Sequence, residues 1–336
     1  VVRKRIEDVD PHIVATLFQS WFAAAETGNA ELIASFLNDY EIPVDRIGPR
    51  GTTALMESAF GGHLHALEVL LDAGARMDHE APAGGTALSY AAVGNHPDAV
   101  ALLARRGAIL DLADSRRGLT ALGQATLRKH EEVISALLDA GASVWAGTPS
   151  AIEVAVGAPS RDVYDRMRQH PTHSPTPPDA TSRLFWFAAA GGQRTVADEL
   201  LSSGARGDIL VNGNDALHQC ARIGATQMIP WLVARGLDPN RRNESGWTPL
   251  LLATKDGHPD TAIALLDAGA RPDDPEPVVR VTALVHAAVG GYEDLVRALL
   301  AHGADPDFVD EQAGRRAVDW AREAGHEAIV RIFAEA

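Results

Sequence analysis

The side chains that could hold a metal, a proton or a nucleophile are thirteen histidines, one cysteine and 45 acids, in a chain of 336 residues. Their spacing fits none of the familiar constellations. A zinc hydrolase brackets a Glu with two His one helical turn apart, a phosphate cradle needs G-x-x-x-x-G-K-[ST], and a serine elbow needs G-x-S-x-G; the chain has none of them. Cys220 stands alone, so it offers neither an intramolecular disulfide nor a zinc pair. His63, His96, His130, His258 and His326 recur at multiples of about 33 residues, which marks them as parts of a repeated scaffold. His170 and His173 sit on a Pro-rich stretch without further ligand types nearby. Asp305, Asp307 and Asp310 echo the first acids of a calcium loop, but the glycine and terminal Glu of such a loop are missing. The expectation is no catalytic residue, no metal and no cofactor.

The elements that carry these residues are short helices. In the stretch 245–274, Thr248 can cap a helix and Pro249 suits its first turn, where a backbone N–H has no partner to lose. Leu250, Ala253 and Thr254 then share one helical face. Gly257 ends that helix, and His258-Pro259 open a second one with Ala262, Leu265 and Leu266 on its face. Gly269 closes it and a polar finger loop follows.

This unit resembles the ankyrin repeat, a helix–turn–helix of about 33 residues ending in a G-A-D finger. With the capping Thr as marker, equivalent positions are Gln19, Thr53, Thr86, Thr120, Ser150, Arg183, Asp215, Thr248, Thr282 and Arg316, spaced by 30 to 34 residues. The resemblance therefore covers nearly the whole chain and implies an all-α ankyrin-repeat solenoid of about ten units. Residues 1–18 read as an N-terminal extension, frayed over 1–10 and helical from Pro11. Repeats one to five span 19–169 and repeats six to ten span 181–336, the last with a polar face suited to capping. Between them, 170–180 (HPTHSPTPPDA) reads as a modified finger inside one solenoid, with a linker between two solenoids as the alternative. Pro159 replaces the turn glycine of repeat five.

Composition narrows the partner. Lys plus Arg number 30 against 45 Asp plus Glu, a net charge of −15, which argues against nucleic acid and favours a neutral or basic partner. The arginine pairs Arg116–Arg117 and Arg241–Arg242 read as solvated turn residues. No apolar run is long enough to span a bilayer, and the start shows no signal-peptide pattern. With a single cysteine, a cytoplasmic setting is expected, and the richness in Ala, Arg and Gly has a bacterial cast. The chain opens on Val1, consistent with a piece of a longer product.

The resemblance also implies where binding sits: a concave groove lined by the exposed positions of each first helix. Reading those positions gives Glu57, Phe60, Tyr90, Val93, Gln124, Leu127, Arg128, Val154, Phe187, Gln219 and Arg222, with Trp186 beside Phe187. Phe60, Tyr90, Val93, Leu127, Val154 and Phe187 would form an apolar patch, framed by the polar members and extended by Trp145 and Trp247. The leading expectation is a non-catalytic module that binds a protein or peptide in this groove. One alternative is a small-molecule enzyme using Glu57, Tyr90, Gln124, Arg128 and His218 for acid–base work in a pocket near repeats 2–6. Another is a scaffold or immunity-type protein that binds through its finger tips.

Overall fold

The computed structural model describes residues 3–82, 84–158, 161–170, 177, 179–310 and 314–335. They fall into two compact units, Val1–Pro177 and Pro178–Ala336. The Pro159 turn, His173 and most of the Pro-rich stretch lie outside the described residues.

In the first unit, helices come in pairs: α1 (Pro11–Thr27) with α2 (Ala30–Asp39), α3 (Ala54–Phe60) with α4 (Leu64–Asp72), α5 (Ala87–Val93) with α6 (Pro97–Arg105), α7 (Ala121–Arg128) with α8 (Glu131–Asp139), and α9 (Ala151–Gly157) with α10 (Arg161–Gln169). First helices pack in series from α1 to α9, and second helices from α2 to α8. In the second unit the pairs are α11 (Ala180–Ala190) with α12 (Arg194–Ser202), α13 (Ala216–Ile223) with α14 (Met228–Val233), α15 (Pro249–Lys255) with α16 (Pro259–Asp267), α17 (Ala283–Gly290) with α18 (Glu293–Ala301), and α19 (Ala317–Glu323) with α20 (Glu327–Glu335). The fold is all-α, and its only sheet among the described residues is a two-residue parallel pairing. That pairing corrects the expectation of a frayed start: Lys4–Arg5 aligns with Tyr40–Glu41, and Asp10 then caps α1 by accepting the His12 N–H at 2.8 Å. Helix α1 runs unbroken from Pro11, as the sequence led one to expect.

The helix starts follow the capping residues. Thr53, Thr120 and Thr248 each accept the N–H three residues on, at 3.3, 3.2 and 3.4 Å, and the Asp215 carboxylate does the same for His218 at 3.0 Å. Gly257 and Gly269 hold φ of +83° and +94°, the left-handed turn that ends a helix without Cβ strain. Thr86 and Thr282 stand at helix starts without a side-chain cap bond, and two marker positions are not at a helix start at all. Gln19 lies inside α1, and Arg183 lies inside α11, which begins a turn earlier after Asp179.

Helices of seven to eleven residues make up nearly all of both rows and would not persist alone in water. They are held by burial: Leu55, Leu67, Leu70, Leu88, Leu103, Leu122 and Ile134 are fully enclosed in the first unit. Each such side chain contributes about 1.5–3 kcal/mol relative to exposure. Between fingers the register is set by polar contacts. Asp45, Asp78 and Asp111 accept the N–H of Arg76, Ile109 and Ser143, one repeat further on, at 2.9, 2.9 and 2.7 Å.

Candidate interaction surface

On a short helix capped by residue c, positions c+1, c+2, c+5 and c+6 turn inward, leaving c+4 and c+7 on the other face. That is the pattern in the first unit. In α3 the residues Ala54, Leu55, Met56, Ser58 and Ala59 are buried, and Glu57 and Phe60 are left over. In α5 the residues left over are Tyr90 and Val93. Phe60 is 50% and Leu127 57% exposed, while Tyr90, Val93 and Val154 are half-buried. The sequence therefore places these apolar side chains on a wet face, on successive packed helices.

Polar residues frame them in two clusters. Glu57 accepts the Thr52 hydroxyl at 2.6 Å and pairs with Arg50 at 3.3 Å, and Arg50 also pairs with Glu26 at 2.9 Å. Burial, and then the charge of Glu57, push the Tyr90 phenol above its ordinary range, with Arg116 opposing. The second cluster is a chain of donors. Arg128 Nη1 donates to Gln124 Oε1 at 2.7 Å, and Gln124 Nε2 donates to Asp114 Oδ2 at 3.0 Å. Gln124 was expected at the rim of the groove but is buried, because its amide bridges these two charged groups. A hollow of about 190 Å³ opens here, lined by Gly84, Gly85, Ser89, Tyr90, Val93, Asp114, Arg117, Gln124 and Arg128.

A larger hollow of about 500 Å³ lies between α1 and the loop 46–52, over Phe18 and Phe22. Arg46 stacks on Phe18 at 3.9 Å to the ring centre. Sequence reading missed this hollow because the first repeat departs from the family pattern, with Trp21 and Phe22 where Leu and His are expected. The aromatic residues of α1 were the available signal.

The second unit carries the other expected site residues. Trp186 is buried and not on the open face: its Nε1 donates to the Asn214 carbonyl at 2.8 Å, and Phe187 packs edge-on at 4.9 Å. Phe187 is half-buried, and Arg222 is exposed and donates to Gln219 Oε1 at 3.1 Å. Lys255 lies 4.3 Å over the Trp247 ring, whose centre is 6.3 Å from that of His286. Burial, helped by Lys255 and opposed by Glu276, lowers the His286 pKa below its ordinary value.

His218 is fully buried. Its Nδ1 is 2.7 Å from Asp215 Oδ1, and its Nε2 is 3.0 and 3.1 Å from the Arg241 and Trp247 carbonyl oxygens. It therefore ties α13 to the next finger. Arg241 and Arg242 are likewise more than solvated turn residues. Arg241 donates to the Asp208 carbonyl at 2.7 Å, and Arg242 to those of Gly246 and Pro275 at 2.6 and 3.0 Å. Cys220 fills the small-residue slot, with its thiol against the Ala189 carbonyl at 3.4 Å. Among the described residues no cluster of three metal-ligating side chains occurs, and no helix is long and apolar enough to cross a membrane.

Comparison with known proteins agrees with this architecture. The family model described as ankyrin repeats (3 copies) matches residues 74–148 and 185–276, and the single ankyrin repeat model matches 281–311. Protein phosphatase 1 regulatory subunit 27 of Homo sapiens is 42% identical over 62 residues, 18% of this chain and 40% of that protein. Its Mus musculus counterpart matches to the same extent. The chain thus spans less than half the length of these curated relatives. The family matches together cover more than half of the sequence, in the same capped helix pairs that the fold displays, and the chain belongs to the ankyrin repeat family.

Proposed function

We propose that this ankyrin repeat protein is a non-catalytic recognition protein, and that the first-helix face of its first unit grips an apolar segment of a protein partner. The observation that carries the reading is the exposure of Phe60 and Leu127, at 50% and 57%, beside Tyr90 and Val93. A contiguous apolar patch with a polar rim is what a partner's side chains can cover, and large aromatic and aliphatic residues are the usual anchors of such contacts. Two further observations support it over the alternatives. The finger aspartates Asp45, Asp78 and Asp111 are engaged with neighbouring fingers, which leaves less for a partner at the tips. His218, the candidate base of an enzymatic reading, has both ring nitrogens committed to internal partners. Ankyrin repeats generally mediate protein–protein contacts, and the relative named as a phosphatase regulatory subunit agrees with a protein partner. A match over 18% of the chain does not carry over which partner.

The test is a Phe60→Ala/Tyr90→Ala/Leu127→Ala variant compared with the natural chain in affinity capture and mass spectrometry. With its circular dichroism unchanged, the variant should lose the partners that the natural chain retains. An unchanged set of captured proteins would refute the reading.

A further inference from the structure

Arginines of this acid-rich chain generally find carboxylates. Arg50, Arg76, Arg106, Arg235 and Arg271 each lie within 2.6–3.3 Å of an Asp or Glu oxygen. Arg117 and Arg128 differ. Both line the hollow of about 190 Å³ beside α5 and α7, and among the described residues neither has an acid in salt-bridge range. The nearest candidate, Asp114, is occupied in another way. It is buried, its Oδ1 accepts the backbone N–H groups of Arg116 and Arg117 at 3.1 and 2.5 Å, and its Oδ2 accepts the Gln124 amide.

That arrangement fixes the orientation of Gln124. Its NH₂ faces Asp114, so its oxygen faces Arg128, whose Nη1 donates to it and to the Gln124 backbone carbonyl at 3.3 Å. Guanidinium presents five N–H donors in a rigid plane. Here one nitrogen is pinned by neutral acceptors, and the other N–H groups have no partner among the described residues. Arg128 is thus a positioned cation whose charge is not neutralised by its anchor. Gly84 and Gly85, with φ of +88° and +86°, form part of the wall. A Cβ on Gly85 would come within 3.2 Å of Ser89 Cβ.

We propose that this hollow is a subsite for one anionic side chain of the partner segment, a carboxylate or a phosphate held by Arg128 and Arg117 against Tyr90 and Ser89. The proposal rests on the recognition reading above and adds a chemical requirement to it. The volume favours one side-chain head over a whole small molecule, because sites for the latter usually enclose about 300–1,000 Å³. Guanidinium recognises carboxylate and phosphate alike through paired N–H donors. Leu127 precedes Arg128 on α7 and Val93 lines the same wall, so the segment carries its acid next to apolar residues. The net charge of −15 suggests a basic partner, whereas this part of the face selects for an acid within it.

The probes are four pools of biotinylated nonapeptides with randomised flanks and a fixed central Glu, phosphoserine, Gln or Lys. They are passed over the immobilised full chain at low salt. The Glu or the phosphoserine pool should be retained about tenfold or more above the Gln pool, as expected for a hydrogen bond to a charged group. Which of the two leads identifies the carboxylate or the phosphate as the source. Arg117→Gln/Arg128→Gln should abolish the preference, and Arg128→Lys should keep part of it. Equal retention of the Glu, phosphoserine and Gln pools, or an acid preference that survives in the double Gln variant, overturns the proposal. If folding fails in the double variant, Arg117→Gln alone and Arg128→Lys decide in the same way. Failure of the recognition reading is separate: it would appear as a Phe60→Ala/Leu127→Ala variant retaining all four pools like the natural chain.

Discussion

Replacing His218 with Ala should destabilise the second unit far more than replacing His63 destabilises the first, although both histidines join one repeat to a neighbour. The His63 contact is a single one, Nε2 to the Glu26 carbonyl at 2.9 Å, at a water-accessible edge. Its loss should cost about 0.5–1.5 kcal/mol, the net worth of an ordinary hydrogen bond that water can replace. His218 is enclosed, and its ring serves Asp215 and the Arg241 and Trp247 carbonyls together. Ala would leave a void where the ring was and strip the Arg241 carbonyl of a partner. The Trp247 oxygen keeps the Asn243 N–H, and Asp215 keeps the His218 backbone N–H. One orphaned, part-buried acceptor costs about 1–3 kcal/mol, and truncating a buried ring adds a comparable amount, so the total is about 2–6 kcal/mol. Hydrogen exchange resolves it segment by segment, which suits an array whose unfolding need not be all-or-none. Protection should fall most in α13, α15 and the loop 241–247. A His218→Ala variant that loses no more than His63→Ala would refute the assignment of this ring as an internal tie.

Two further outcomes concern titration. Burial, and secondarily the charge of Asp215, push the Cys220 thiol from 9.0 up to about 12. At pH 8 the thiolate fraction then drops from about 0.1 to about 10⁻⁴, so reaction with a disulfide reagent should be about a thousandfold slower than in denaturant. Stoichiometric labelling of a folded sample within minutes would contradict this. Because the folded pKa is the higher one, stability should hold below pH 9 and decline as pH rises toward about 12, and Cys220→Ala should lessen that decline, leaving the part that belongs to other raised groups such as the Tyr90 phenol. His286 has the opposite sense, since its folded pKa lies below 6.5. The unfolded chain takes up the proton first, so stability should fall as pH drops below 6.5, and His286→Phe should flatten that part of the urea midpoint–pH curve. An unchanged slope would remove burial of this imidazole as its cause.

The architecture was legible because each repeat writes it again. Thr-Pro or Thr-Ala at a helix start, Leu pairs in the second helix and Gly at each end state the same physics about every 33 residues. It was obscured where that signature lapses. Arg183 was aligned with the caps by spacing alone, whereas Asp179 starts the helix. The exposed positions were also legible, because helical period alone leaves Phe60, Tyr90, Val93 and Leu127 outside. Side-chain partners were not. Nothing in the local sequence says that Gln124 turns inward to Asp114, ten residues earlier, or that the Trp186 indole finds the Asn214 carbonyl. Arg117 was read with Arg116 as a solvated turn pair, and Arg128 apart from them as part of the groove. Only the packing of the loop 114–118 beside α7 brings Arg117 and Arg128 to one hollow.

Helix α7 buries Ala121 through Thr126 and leaves Leu127 and Arg128 to the surface. The residues that keep the array standing and those free to meet another molecule are therefore separate sets on one short segment. Exchanging Leu127 leaves the interlocking residues untouched, and only Arg128 reaches back, to Gln124, so the scaffold can acquire a new vocabulary of contacts with little renegotiation of its own assembly. A collection of variants randomised only at positions 60, 90, 93 and 127 should consequently contain mostly well-folded members.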